Sequence, residues 1–327
     1  MKNKKVVVIG GGTGSHVILK GLKVFRDLDL SAIVTMSDDG GSTGKLRDEL
    51  GVLPAGDVRQ CLVALSDSPE IMRDLFNYRF ENGGLTGHNA GNILLAALEK
   101  ITGSFDKAVS NASQLLAVKG EVIPVTCDNL HLEMILNNDE VILGEDTINH
   151  RHDVSFVGVK EVHFSEVATL NPKAKQAILN ADMVVIAPGN TYGSILPNLI
   201  VPGMKEVLSD TKARKVMCVN LMAKKEHCLN WNVEQFIKEI QKYIGDIVDI
   251  ALYNTNKPDH NLLEIYKREG TFVKRETDDC NIGKARLVGT DLLAKGIFIN
   301  PNKKDLIQRT LIRHDSMKLA TAIYGLL

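Results

Sequence analysis

Apolar positions along this chain follow two rhythms that take turns. Continuous, largely β-branched runs at residues 6–9, 31–36, 183–187, 216–221 and 247–253 predict strands buried on both faces. Between them, apolar residues recur at helical spacing: Ile18, Leu22 and Phe25, then Ile93, Leu94, Ala97, Leu98 and Ile101, then Val233, Phe236, Ile237, Ile240 and Ile244. Shorter helices are expected at 173–179 and 262–267. Alternation of this kind predicts an α/β fold with a mainly parallel sheet covered on both sides. From about 121 to 164 the period drops to two, with VIPVTC, HLEMIL and EVILGED around a turn at Asn137, Asn138 and Asp139, which predicts a small antiparallel β-hairpin insertion. No linker divides the chain, so residues 1–327 are expected to form a single domain.

Four glycine-rich turns each lead from a strand or loop into a helix. The first, GGGTG at 10–14, follows the first strand; a strand that breaks into glycines and restarts as a helix aims backbone N–H groups, at the positive end of the helix dipole, at a site suited to phosphate. The second, SDDGGSTGKLR at 37–47, carries Asp38 and Asp39 before its glycines and Lys45 and Arg47 after them. Carboxylates holding Mg²⁺ beside cations and amides holding phosphate oxygens is one chemistry that mixture suits; two aspartates capping a turn and a helix is the other. Asp57 is expected at the start of a helix, His88 and Asn89 just before another, and APGNTYGS at 187–194 forms the fourth turn.

Several function classes fall away. The first turn lacks the third glycine of a dinucleotide-binding fingerprint, since Ser15 stands there, and the second has Asp39 and Leu46 where a P-loop needs glycine and Ser/Thr. No G-x-S-x-G, H-E-x-x-H or C-x-x-C occurs. A net charge of −1 with dispersed Lys and Arg argues against nucleic acid as a partner. Nothing reaches eighteen consecutive apolar residues and no signal-like segment opens the chain, so no membrane partner is expected and the expected location is cytoplasmic. Five cysteines without paired spacing fit reduced thiols, with Cys61, Cys127 and Cys218 expected as small core residues.

The motifs GGGTG, SDDGGSTGKLR, PAGDVR, FENGGLTGHNAGNILLAALEKITG, APGNTYGSILPNLIVPG and IRHDSMKLA, in this order, resemble the gluconeogenesis-factor branch of the family that also contains 2-phospho-L-lactate transferase. The resemblance implies a three-layer α/β/α fold with a Rossmann-like sheet and a nucleotide or phosphate ligand over the strand ends. It implies a ligand site of Gly11, Gly12, Thr13, Gly14, Asp38, Asp39, Arg47, Asp57, Arg59, His88, Asn89, Asn92, Gly189, Asn190, Tyr192, Tyr266 and Arg313, with Asp38 and Asp39 as candidate Mg²⁺ ligands. For that branch it implies a regulatory protein that binds a UDP-sugar, UDP-N-acetylglucosamine foremost, linked to growth on gluconeogenic carbon, peptidoglycan supply and cell shape, and able to form homo-oligomers. The alternative it implies is a Mg²⁺-dependent transfer of a phosphorylated group from a nucleotide diphosphate donor. The chain departs from the resembled pattern at 220–231, NLMAKKEHCLNW, and at the fourth turn, where Asn190 stands in place of a hydroxyl residue.

Overall fold

The computed structural model describes residues 3–295 and 312–327. Its strands are β1 (Lys4–Gly10), β2 (Leu28–Val34), β3 (Glu121–Pro124), β4 (Leu132–Leu136), β5 (Val141–Leu143), β6 (Val159–Phe164), β7 (Met183–Ile186), β8 (Arg214–Cys218), β9 (Met222–Lys224), β10 (Ile250–Asn254), β11 (Gly270–Phe272), β12 (Asn281–Ile282) and β13 (Ala285–Thr290). Eight of these form one sheet in the order β12-β13-β10-β8-β7-β1-β2-β3, parallel throughout except for β12. Strand β1 shows why its run is continuously apolar. Val6 and Val8 join the core on one face, Val7 and Ile9 the core on the other, and all four are buried.

The helices that position the glycine turns and their partners are α1 (Gly12–Leu22), α2 (Gly41–Leu50), α3 (Gly56–Leu65), α4 (Glu70–Asn77), α5 (Ala90–Thr102), α6 (Phe105–Leu115) and α7 (Glu145–His150). From β1 the chain winds outward through β2 to β3, then returns to β7 on the other side of β1 and continues outward through β8 and β10. The order reverses between β1 and β7, and the carboxyl edge of a sheet at such a reversal is where ligands bind in open α/β folds. Helix Ser316–Tyr324 closes the fold against α1: Ser316 Oγ donates to the Val17 carbonyl at 2.7 Å, and the backbone of Ser316 lies where a side chain at Gly21 would be.

Two expectations are corrected here. Residues 121–124 pair parallel with β2 as the edge of the main sheet, so the antiparallel insertion is the three-stranded sheet β5-β4-β6 at 132–164. Its period-two pattern extends no further back because β3 is buried from Val122 through Pro124, as a covered parallel strand is. Cys61 and Cys218 are core residues, whereas Cys127 is exposed. Among the described residues no helix is long and apolar enough to cross a membrane.

Candidate functional site at the sheet reversal

The first glycine turn sits at that reversal. Gly11 is the N-cap of α1 in extended conformation and offers no side-chain cap, and Gly12 takes a left-handed φ of +54°. Gly14 packs so closely on the Pro188 carbonyl of the fourth turn that a Cβ there would overlap it. Thr13 is exposed in the first turn of the helix. The seat above these amides is not open to water alone. Asp57, in the first turn of α3, reaches across it: its Oδ2 stands where a Gly11 side chain would be, and its carboxylate accepts from the Gly12 N–H. The protein's own carboxylate thus occupies the position of an anion at a helix N-terminus.

Asp57 has company. Asp38 accepts from the Gly40 N–H at 3.1 Å and from the Thr43 hydroxyl, and Glu145, 8% exposed, projects from the start of α7. Burial pushes all three carboxyls up, and repulsion from neighbouring carboxylates adds to it. Asp57 rises to about 7 from burial and then from the Asp38 charge, with Arg59 pulling the other way. Burial and then Asp38 hold Glu145 well above the usual range, although Asn149 donates to its Oε1. Asp39 points elsewhere. Its two oxygens accept from the backbone N–H groups of Glu145 at 3.0 Å and Asp146 at 2.6 Å, capping α7 from a loop more than a hundred residues earlier in the chain. Among the described residues no group of three or more His, Cys, Asp or Glu is arranged to hold a metal ion. A Mg²⁺ here would rely on one or two carboxylates, Asp38 and Asp57 foremost, together with ligand phosphates and water, which is how Mg²⁺ is usually held.

A hydrogen-bonded network ties this seat to the third glycine turn. Asn92 donates to Thr43 Oγ1 at 3.3 Å and accepts from Arg59 Nε at 3.0 Å, and Arg59 also donates to the Phe76 carbonyl and to Asn77 Oδ1. Asn89 caps α5 by accepting from the Asn92 N–H, its own N–H donates to Ser42 Oγ, and His88 Nδ1 lies 3.3 Å from that same hydroxyl. At the fourth turn Asn190 caps the π-helical turn Thr191–Ile195 and donates to Asn149 Oδ1. Asn220 clamps the turn by accepting from the Gly189 N–H at 2.8 Å and donating to its carbonyl at 2.7 Å.

Gly11, Gly12, Gly14, Asp38, Asp57, Arg59, His88, Asn89, Asn92, Gly189 and Asn190 therefore belong to one connected arrangement. Others do not. Arg47 is 4% exposed, with Nη2 donating to the Leu130 carbonyl and held 3.0 Å from His131 Nε2, while its buried Nη1 has no hydrogen-bond partner among the described residues. Tyr192 is 1% exposed in the core with its hydroxyl donating to Glu239. Tyr266 is 4% exposed and packed with Leu221 and Ile312. Arg313 is half-buried beside the Leu293–His314 bridge, where its carbonyl accepts from the Ala294 N–H. Sequence reasoning missed Glu145, Asn149, Thr43 and Asn220. Thr43 lies inside the second glycine turn and Asn220 opens the divergent 220–231 segment, so both had a signal; Glu145 and Asn149 sit in the insertion, with no local signal.

The family model for 2-phospho-L-lactate transferase CofD matches residues 6–293, a span that takes in all four turns. The chain belongs to the CofD family. A Thermotoga maritima relative is 37% identical over 98% of this chain and 98% of its own length. The Bacillus subtilis protein named gluconeogenesis factor is 35% identical over 99% of this chain and 98% of that one. The crystal structure of a Bacillus halodurans protein superposes with a TM-score of 0.88 at 34% identity, covering 99% of this chain and 100% of that chain. In this arrangement the α1 N-terminus and buried carboxylates lie together at the sheet reversal.

Proposed function

We propose that this chain is a gluconeogenesis factor that binds a nucleotide-linked sugar, UDP-N-acetylglucosamine as the leading ligand, with its diphosphate at the α1 N-terminus, and that it acts by regulation, in peptidoglycan supply and cell shape, rather than by turnover. The observation that carries the reading is the α1 N-terminus at the sheet reversal, where Gly11 supplies no side-chain cap and the Asp57 carboxylate takes the Gly12 N–H, marking the helix end as an anion seat that a phosphate would take over from Asp57. The relatives' name, gluconeogenesis factor, supports the first part of this reading only. Cytoplasmic location and self-association accompany this reading.

A second reading, Mg²⁺-dependent transfer of a phosphorylated group from a nucleotide diphosphate, is favoured by one feature: Asp57 and Asp38 side by side, raised by burial and poised to share a cation. The deciding measurement is calorimetry with UDP-N-acetylglucosamine, UDP and GDP, each with and without Mg²⁺. Selective binding of the UDP ligands, with no nucleotide released over hours, is expected. Selective GDP binding that requires Mg²⁺ would replace the regulatory reading by the transferase one.

A further inference from the structure

A cavity of about 790 Å³ lies at the opposite edge of the main sheet from the phosphate seat. Lys5, Leu28 and Glu121 line it where β1, β2 and β3 begin, whereas the seat lies where β1 ends at Gly10. The seven residues of β1 put about 20 Å between the two places. Five cationic side chains line the cavity, against the two carboxylates of Asp29 and Glu121. Three of those cations are already matched: Lys23 and Lys119 share Asp67, and Lys173 pairs with Asp106. The half-buried Lys5 and the exposed Arg26 have no carboxylate partner among the described residues, while Asp29 already accepts from Asn3. Gln176 and Asn180, on and just past the helix Pro172–Leu179, also line the cavity, and their side-chain amides make no hydrogen bond among those residues. The apolar part of the lining is Val6, Leu28 and Leu30, all buried, and the half-buried Phe25, whose ring stacks on Tyr324 at 4.2 Å.

We infer that this cavity is a second ligand site, separate from the phosphate seat, for a small organic anion of two or more charges, a phosphate ester or a polycarboxylate. The inference stands independently of the proposed nucleotide-sugar binding. The volume is that of a small-molecule site. An ammonium and a guanidinium without carboxylates of their own complement phosphate or carboxylate oxygens, and the guanidinium can take two of them at once. The two amides suit further oxygens or hydroxyls, and the apolar lining suits a carbon skeleton.

Calorimetry of the full chain at constant ionic strength tests this, with citrate as the polycarboxylate, fructose 1,6-bisphosphate as the phosphate ester and inorganic phosphate as an anion without a carbon skeleton. At least one of the two organic anions should bind saturably, the tighter of them naming the class, and inorganic phosphate should bind roughly tenfold more weakly. Arg26→Gln and Lys5→Gln should each weaken the organic anion about tenfold, with circular-dichroism melts separating a lost contact from a lost fold. Lysine acetylation read by mass spectrometry locates the bound anion: it should shield Lys5 and leave Lys45, exposed beside the second glycine turn, as reactive as before. No saturable binding by either organic anion, an affinity unchanged in both variants, or shielding of Lys45 without Lys5 overturns the site. Inorganic phosphate binding as tightly as the organic anions overturns the assignment of an organic ligand.

Discussion

Asp57 lies on the seat that a phosphate would take, buried, next to Asp38 and opposed by Arg59. Its folded-state value of about 7 lies above the unfolded 3.8, so the folded protein holds a proton that the unfolded chain gives up. The resulting penalty is absent below about pH 4, grows between 4 and 7, and is complete above 7. The unliganded protein should therefore lose stability as pH rises through that window. Asp57→Asn should flatten the profile and raise stability at pH 8 by about 1–3 kcal/mol, read by urea denaturation at pH 5 and pH 8. The same variant should bind pyrophosphate more tightly in Mg²⁺-free buffer, since a neutral amide no longer repels the incoming anion. Weaker binding there would mean that Asp57 holds the ligand rather than competing with it. Gly14→Ala belongs to this scale as well. With no space beside the Pro188 carbonyl, it should cost at least about 3 kcal/mol and abolish pyrophosphate binding, checked by denaturation and calorimetry.

At the scale of elements, the second glycine turn divides its two aspartates between separate duties. Asp38 turns back on its own loop and on Thr43, whereas Asp39 holds the first turn of α7 through two backbone N–H groups. Asp39→Ala should therefore destabilise the protein by about 1–2 kcal/mol with or without Mg²⁺, and circular dichroism should show the loss in metal-free buffer. A destabilisation seen only with Mg²⁺ present would restore Asp39 as a metal ligand. Sequence alone offered both duties, because Asp before Gly is equally common in a turn and in a cap. What decided between them is α7, about a hundred residues away, and no local pattern encodes that distance. The glycine turns and the strands of the sheet were legible for the opposite reason: β1, β7 and β8 are buried on both faces, so burial writes itself into the sequence as an uninterrupted apolar run. The burial of Tyr192, Tyr266 and Arg47 was not legible, because a residue type next to a glycine turn or in a motif says nothing about how its side chain is packed.

Across the whole molecule, the chain's last described helix bears on its first. Helix Ser316–Tyr324 packs Leu319, Ala320 and Ile323 into the core that also holds Ile18, Leu19 and Leu22 of α1, and Tyr324 stacks on Phe25 at 4.2 Å while its hydroxyl reaches Asp27 at 2.7 Å. The segment that enters this helix is pinned separately. Asp315 caps it through the N–H groups of Met317 and Lys318, and His314, pushed down to about 4 by burial, stays neutral against the Val219 carbonyl at the end of β8. His314 and Asp315 thus fasten the β8 edge to the helix that packs on α1. Removing residues 316–327 should uncover the buried faces of Leu319 and Ile323 and their partners on α1, a loss of about 3–6 kcal/mol that denaturant titration would register as a lower midpoint. Because α1 carries Gly11 to Gly14 at its other end, the same truncation should weaken pyrophosphate binding even though no deleted residue approaches the glycine turn. If binding survived at full strength in a truncated protein that still folds, the α1 N-terminus would owe its position to β1 and β7 alone, and the closing helix would serve stability without serving the site.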